Sequence, residues 1–131
     1  MDDFVWACIG VYGPNDNGQR STLWEELSQV RAKWPMAWCL VGDFNIIRYP
    51  SERLGCESFS PAMFAFLDFI EKNSLIDLPL EGASFTWFRD SGLPFMSRID
   101  RALVSIDLEE HFENVSQRVF PRVLSDHCRF C

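Results

Sequence analysis

Two continuous apolar runs of strand length bracket a helical pattern near the start of this chain, and that arrangement constrains the fold more than any other feature. Phe4 to Val11 (FVWACIGV) has no polar alternation and ends at Gly13-Pro14-Asn15-Asp16, so it reads as a strand buried on both faces that runs into a loop. Ala37 to Val41 (AWCLV) reads as a second buried strand, ending at Gly42-Asp43-Phe44-Asn45. Between them, Thr22 and Glu25 have capping-box spacing, and Leu23, Leu27, Val30 and Trp34 recur at helical intervals until Pro35 stops the pattern. The helix is expected to lay one stripe against a sheet. Twelve Phe and five Trp in 131 residues supply the large side chains that a core needs, within the size of one domain.

The remainder alternates in the same way. Arg48 to Phe59 reads as a loop, and Ser60 as N-cap with Pro61 at the first helical position opens a second helix with Met63, Phe66, Leu67 and Ile70 on its apolar face. Leu75 to Leu80 turns through Glu81-Gly82 into a strand over Ser84 to Phe88, and Asp90-Ser91-Gly92 suits a hairpin turn. The partner strand is expected over Met96 to Val104, with Arg98, Asp100 and Arg101 giving it an unusual charge density. A short acidic helix from Asp107 and a last strand near Val115 to Val123 follow.

A net charge of −7 argues against a broad basic surface for nucleic acid, while Arg20, Arg89, Arg98, Arg101, Arg118 and Arg122 leave room for a local basic patch. Scattered surface arginines and a solvated acidic helix face explain the same residues. Five cysteines are an odd number, and Cys128 and Cys131 form a single C-x-x-C without a second pair, so neither a disulfide framework, nor a disulfide-linked partner, nor structural zinc is expected. No apolar run has the length of a membrane span, and the N-terminus lacks a signal-peptide pattern. The expectation is an intracellular protein with no membrane partner, a nuclear location being left open.

Carboxylates gather at strands rather than on helix faces: Asp43 with Asn45 follows one strand, Asp100 lies within or at the edge of another, and Asp126 with His127 follows the last. Hard divalent cations take such oxygens, and phosphoryl transfer needs charge neutralisation and an activated water. Asp and Asn after a strand are also ordinary turn residues, so Gly42-Asp43-Phe44-Asn45 alone does not decide. His111 on the acidic helix reads as a surface residue, and the tryptophans read as core before they read as base-stacking platforms.

Taken in order, Val11-Tyr12-Gly13-Pro14, Val41-Gly42-Asp43-Phe44-Asn45, Ser97-Arg98-Ile99-Asp100-Arg101 and Leu124-Ser125-Asp126-His127 resemble the motifs of endonuclease/exonuclease/phosphatase domains. Pro50-Ser51-Glu52-Arg53 and Gly82-Ala83-Ser84-Phe85-Thr86-Trp87 resemble plant LINE-type retrotransposon polyproteins in particular. The resemblance implies a deoxyribonuclease I-like α/β (α+β) fold, a four-layer sandwich of mostly antiparallel sheets flanked by helices. Residues 1–131 would be a truncated, C-terminal portion with the first sheet largely missing. It implies that Tyr12 holds the scissile phosphate, Asp43 positions and deprotonates water, and Asn45 orients it. Asp100 would orient His127, His127 would contact the phosphate, and Asp126 would help hold Mg²⁺ or Mn²⁺. For Arg98 and Arg101, beside Asp100, a substrate phosphate contact and a structural ion pair are both open. DNA is the implied partner, with a reverse-transcriptase domain downstream in a full-length parent. An N-terminal Asn and a metal-binding Glu of that pattern have no counterpart here, so the isolated chain is expected to be inactive or impaired. A non-catalytic degenerate fragment, and a phosphatase or phosphodiesterase of the same superfamily, stand as alternatives.

Overall fold

The computed structural model describes residues 5–34, 36–89, 95–112 and 117–118. Strand β1 (Trp6–Tyr12) and strand β2 (Ala37–Asp43) pair in parallel, Trp6 against Ala37 through Tyr12 against Asp43. Parallel neighbours need a crossover, and helix α1 (Asn17–Lys33) provides it. Its N-cap is Asp16, whose carboxylate accepts from the Gln19 N–H at 3.0 Å. The capping role expected of Thr22 is therefore corrected: Thr22 lies inside the helix, and its hydroxyl donates to the Gly18 carbonyl at 3.1 Å. Asp16, at the end of the Gly-Pro-Asn-Asp turn, offers the first free acceptor to the helix N–H groups, so the helix starts there.

Helix α2 (Pro61–Lys72) begins as its sequence dictates, with the Ser60 hydroxyl accepting from Met63 N–H at 3.3 Å. Strand β3 (Leu75–Asp77), the short strand β4 (Leu80–Glu81), strand β5 (Trp87–Arg89) and strand β6 (Phe95–Ser97) follow. Strand β7 (Asp100–Ser105), helix α3 (Ile106–His111) and strand β8 (Gln117–Arg118) complete the described elements. The central sheet has the order β1-β2-β7-β3, with β7 antiparallel to both of its neighbours. Two small ladders, antiparallel β5-β6 and parallel β4-β8, stand beside it.

The strand expected over Met96 to Val104 is two strands. β6 pairs with β5, the chain turns at Arg98 and Ile99, and β7 enters the central sheet. Of the charges that looked wrong for a strand, Arg98 sits at this turn, and Asp100 and Arg101 open β7. Of the last expected strand only Gln117–Arg118 is described, and the Asp90-Ser91-Gly92 turn lies outside the described residues.

One core fills the space between the sheet and the helices α1 and α2. Trp24 of α1 stacks on Phe66 and Phe69 of α2, with centroids 5.1 and 4.8 Å apart, and Phe44 joins them at 6.2 Å. Trp38, Leu40 and Leu103 close this layer from the sheet, all essentially without solvent contact. On the opposite face Leu108 of α3 and Leu78 pack on Ala37, Ala102 and Val104. β1 departs from its expected burial: it is an edge strand, so Ala7, Ile9 and Val11 pack toward the helices while Trp6, Cys8, Gly10 and Tyr12 are exposed. Hydropathy reports that a strand is apolar on both sides; it does not report whether a second layer covers both.

Candidate active site

The register of the sheet sets Tyr12, Asp43 and Asp100 in one row across three neighbouring strands. Neighbouring strands lie about 4.8 Å apart, so the row spans roughly 10 Å between the outer Cα atoms. Two glycines make this close approach possible. A Cβ on Gly42, whose φ is +146°, would stand 2.0 Å from the Val11 carbonyl oxygen, and one on Gly13 would stand 2.1 Å from that of Phe44. The Gly13 N–H donates to the Asp43 carbonyl at 2.6 Å, and the Phe44 N–H to the Ile99 carbonyl at 2.8 Å, tying all three strand ends together.

Asn45 takes the left-handed conformation, φ 52°, which Asn tolerates better than most residues. Its backbone N–H donates to Asp43 Oδ1 at 2.8 Å, its Nδ2 donates to the Gly13 carbonyl at 2.5 Å, and its own carbonyl accepts from Arg20 at 2.9 Å. The turn chemistry of Asp-x-Asn is thus present, and it fixes both polar side chains rather than leaving them to solvent. Asp100 is 5% exposed. The hydroxyl of buried Thr86 accepts from the N–H groups of Ile99 and Asp100 at 3.1 and 3.0 Å, which pins the start of β7.

Tyr12, Asp43 and Asn45 line an open cleft of about 340 Å³ with Asn15, Arg53, Trp87, Ser97 and Ile99. Arg53 brings a cation to the cleft wall, anchored by the Arg53–Ser97 bridge between its loop and β6. Arg20 lies near enough that Arg53 and, above all, burial pull its guanidinium below its ordinary value, against the raising pull of Asp16. In the sequence Arg53 stands out only as part of a longer motif, and Trp87, which reads there as core before base-stacking, lines the cleft. The signal for Arg53 was its place one residue beyond Glu52 in the Ser51-Glu52-Arg53 run.

Arg98 and Arg101 do something else. The Arg101 side chain has no solvent exposure and binds Glu52 and Asp77, both at 2.5 Å; Arg98 pairs with the same carboxylates at 3.6 and 3.4 Å, and Arg48 reaches Asp77 at 3.4 Å. A side chain without accessible surface cannot touch a substrate, so the open alternative is corrected for Arg101 to a structural ion pair, and Arg98 is committed to the same cluster. Burial, then the neighbouring Arg101, pull the Arg98 guanidinium below its ordinary value, opposed by Asp77 and Glu52. Three guanidiniums against two carboxylates leave one positive charge in excess beside the cleft. Asp126 and His127 lie outside the described residues.

Among the described residues no group of three His, Cys, Asp or Glu side chains converges on a metal position. Asp43 and Asp100 on neighbouring strands offer hard oxygen donors, and Mg²⁺ is held in many sites by one or two carboxylates with substrate phosphate and water completing its shell. The donor chemistry fits that class of ion. No helix among the described residues is long and apolar enough to cross a membrane.

No protein-family model and no curated protein matches the chain. Solved structures do. The endonuclease domain of TRAS1, a telomere-specific non-LTR retrotransposon, superposes with a TM-score of 0.66 at 21% identity, covering 82% of this chain and 48% of that one. A 3′-5′ exonuclease from Neisseria meningitidis gives a TM-score of 0.73 at 23% identity over 92% of this chain and 58% of that one. A Neisseria 3′ phosphatase bound to a product DNA hairpin gives 0.60 at 18% identity. The chain therefore has the deoxyribonuclease I-like α/β fold, an antiparallel-rich sheet flanked by helices, and it spans about half the length of the structures that it matches.

Proposed function

We propose that this chain carries the phosphate-binding part of a phosphodiester-hydrolysing domain of the endonuclease/exonuclease/phosphatase superfamily, acting on DNA, and more narrowly the endonuclease of a plant LINE-type retrotransposon. The observation that carries the proposal is the cleft in which Tyr12, Asp43 and Asn45 meet Arg53, with buried Asp100 in register with Asp43 on the neighbouring strand. Fold alone would not select a chemistry, since one fold hosts many sites. The likeness to the TRAS1 endonuclease supports the retrotransposon reading, together with the motif text around Glu52 and Thr86.

Each side chain has a role that its surroundings allow. Arg53 would neutralise a phosphate oxygen, and the exposed Tyr12 hydroxyl would donate to another, so that negative charge is held at the cleft mouth. Asp43, its Oδ1 already accepting from Asn45, would hold and deprotonate a water, and the Asn45 amide would orient it. Asp100 would orient His127, and Asp126 would help hold the metal. Mg²⁺ or Mn²⁺ would supply charge neutralisation on the phosphate when bound, with the Asp43 carboxylate in the cleft offering it an oxygen donor.

A second reading has its own observation. Trp6 is 43% and Tyr12 82% exposed on an edge strand with one neighbour, and no three-ligand group exists among the described residues, which supports a chain that does not turn over by itself. The test compares three substrates in Mg²⁺ and in EDTA: supercoiled plasmid, a 3′-phosphorylated DNA hairpin, and a small aryl phosphate monoester. Weak Mg²⁺-dependent plasmid nicking without monoester cleavage is the expected result, weak because the metal-binding Glu of the pattern has no counterpart in this chain. Monoester cleavage alone would move the site to phosphatase chemistry, and a folded chain silent on all three would favour the non-catalytic reading.

A further inference from the structure

Beside the cleft stands a group of aromatic rings that the core does not use. Tyr49, Phe59 and Phe64 are 39%, 42% and 58% exposed, and none of them belongs to either buried cluster. They touch one another: the Phe59 and Phe64 rings stack with centroids 5.1 Å apart at 19°, and Tyr49 meets Phe59 edge-on at 6.4 Å. The Arg48 guanidinium lies over the Tyr49 ring at 4.9 Å. Single exposed apolar residues are ordinary, whereas a contiguous aromatic patch with a cation at its end marks a surface that binds something.

The patch is joined to the cleft by one short turn, while Arg48 and Tyr49 also line a separate hollow with Leu67 and Ile70. Tyr49 precedes the 3-10 turn Pro50–Glu52, and the residue after that turn is Arg53, which lines the cleft. The buried Glu52 carboxylate accepts from the backbone N–H groups of Arg48 and Tyr49 at 2.6 and 3.3 Å while it pairs with Arg101. One ion-pair cluster thus fixes the backbone of Tyr49 and the turn that leads to Arg53 together.

We propose that Tyr49, Phe59 and Phe64 form a stacking platform for unpaired bases of a DNA strand whose backbone passes Arg53 into the cleft. This rests on the reading of the cleft as a phosphodiester site, and it narrows the substrate to DNA with an unpaired stretch beside the cleaved bond. Paired bases keep their faces in the duplex and offer edges and phosphates, while unpaired bases offer the π-faces that aromatic side chains take with little regard to sequence. The net charge of −7 gives no broad basic surface to hold duplex through its phosphates, which leaves stacking and the two local arginines, Arg48 and Arg53, as the means of capture.

The test is fluorescence anisotropy with a labelled fifteen-nucleotide oligothymidine and a hairpin duplex, in EDTA, on the full chain. The wild type is expected to bind the single strand more tightly than the duplex. Phe59→Ala and Phe64→Ala should each weaken single-strand binding about tenfold with unchanged circular dichroism, and Phe64→Tyr should restore it. Wild-type affinity in both alanine variants, or no single-strand binding at all, overturns the proposal. So does concentration-dependent self-association that Phe64→Ala abolishes, because the patch would then be a contact between copies. The cleft reading fails separately: if aromatic-dependent binding holds while Asp43→Asn leaves plasmid nicking unchanged, the platform stands and the hydrolytic site does not.

Discussion

Glu52→Gln changes one atom in the buried cluster and should unfold the protein more readily than most core substitutions. The Glu52 carboxylate accepts from two backbone N–H groups and pairs with Arg101 at 2.5 Å and Arg98 at 3.6 Å, and the residue is 8% exposed. The amide keeps the shape but removes the charge and turns one acceptor into a donor that faces a guanidinium. The cluster's single excess positive charge becomes two, with Asp77 alone to offset three arginines. Breaking a buried pair by removing one partner costs about 3–5 kcal/mol. Total stabilities are about 5–15 kcal/mol, so this is a third or more of a typical value. At roughly 3 °C per kcal/mol for a chain of this size, the midpoint falls by roughly 10–15 °C. Circular dichroism melts and urea titrations of the two proteins measure it. Removing both charges in Glu52→Met with Arg101→Met should cost less than the sum of the single changes by at least about 1 kcal/mol. A midpoint within about 2 °C of wild type for Glu52→Gln would refute the reasoning, since it would mean that solvent screens the cluster.

Three further outcomes follow from local geometry. Ser60→Ala removes the side chain that accepts from Met63 N–H at the start of α2 and should cost about 1 kcal/mol in urea unfolding. Gly42→Ala, at φ +146° with the Val11 carbonyl in the way, should cost at least about 2 kcal/mol, read in the same titration. Burial, and next to it Cys8 on the neighbouring strand, push the Cys39 thiol up to about 12, so iodoacetamide at pH 8 should modify exposed Cys8 and spare Cys39 until the chain is unfolded, as peptide mass spectrometry will report. Because the folded thiol holds its proton above the value it has when unfolded, the stability it contributes is intact below the ordinary thiol range and is lost as pH rises toward about 12.

Local chemistry carried the legible part of the fold. The two apolar runs, the Ser60-Pro61 helix start and the Asp-x-Asn turn each depend on residues close together in the chain, and they give strands at Trp6–Tyr12 and Ala37–Asp43, a helix from Pro61 and a turn at Asp43 and Asn45. What escaped depends on distant partners. Arg101 could not be separated from a ligand-binding arginine because its partners, Glu52 and Asp77, lie 49 and 24 residues away. The break at Arg98 and Ile99 has no local cue, since both halves are strand-forming, and only the pairing of β6 with β5 and of β7 with β2 explains it. The edge position of β1 reversed its expected burial for the same reason. For α1 a cue was present and outweighed: Asp16 with Gln19 has the spacing of an N-cap and its N3 position, as do Thr22 and Glu25, and the turn just before Asp16 decides between them. In the site, Asp43 and Asn45 were legible as strand-end polar residues and Asp100 as a charge within or at the edge of a strand, while Arg53 needed the fold to bring its loop against β6.

We propose the cleft of Tyr12, Asp43 and Asn45 as a reaction centre for phosphodiester bonds, and the rate of Mg²⁺-dependent plasmid nicking by the chain and its Asp43→Asn variant tests that proposal most directly. Asp43→Asn preserves the acceptor for the Asn45 N–H and removes only the base, so the melting midpoint should stay near wild type while nicking falls by about a hundredfold or more. Equal nicking rates in the two folded proteins would contradict the account.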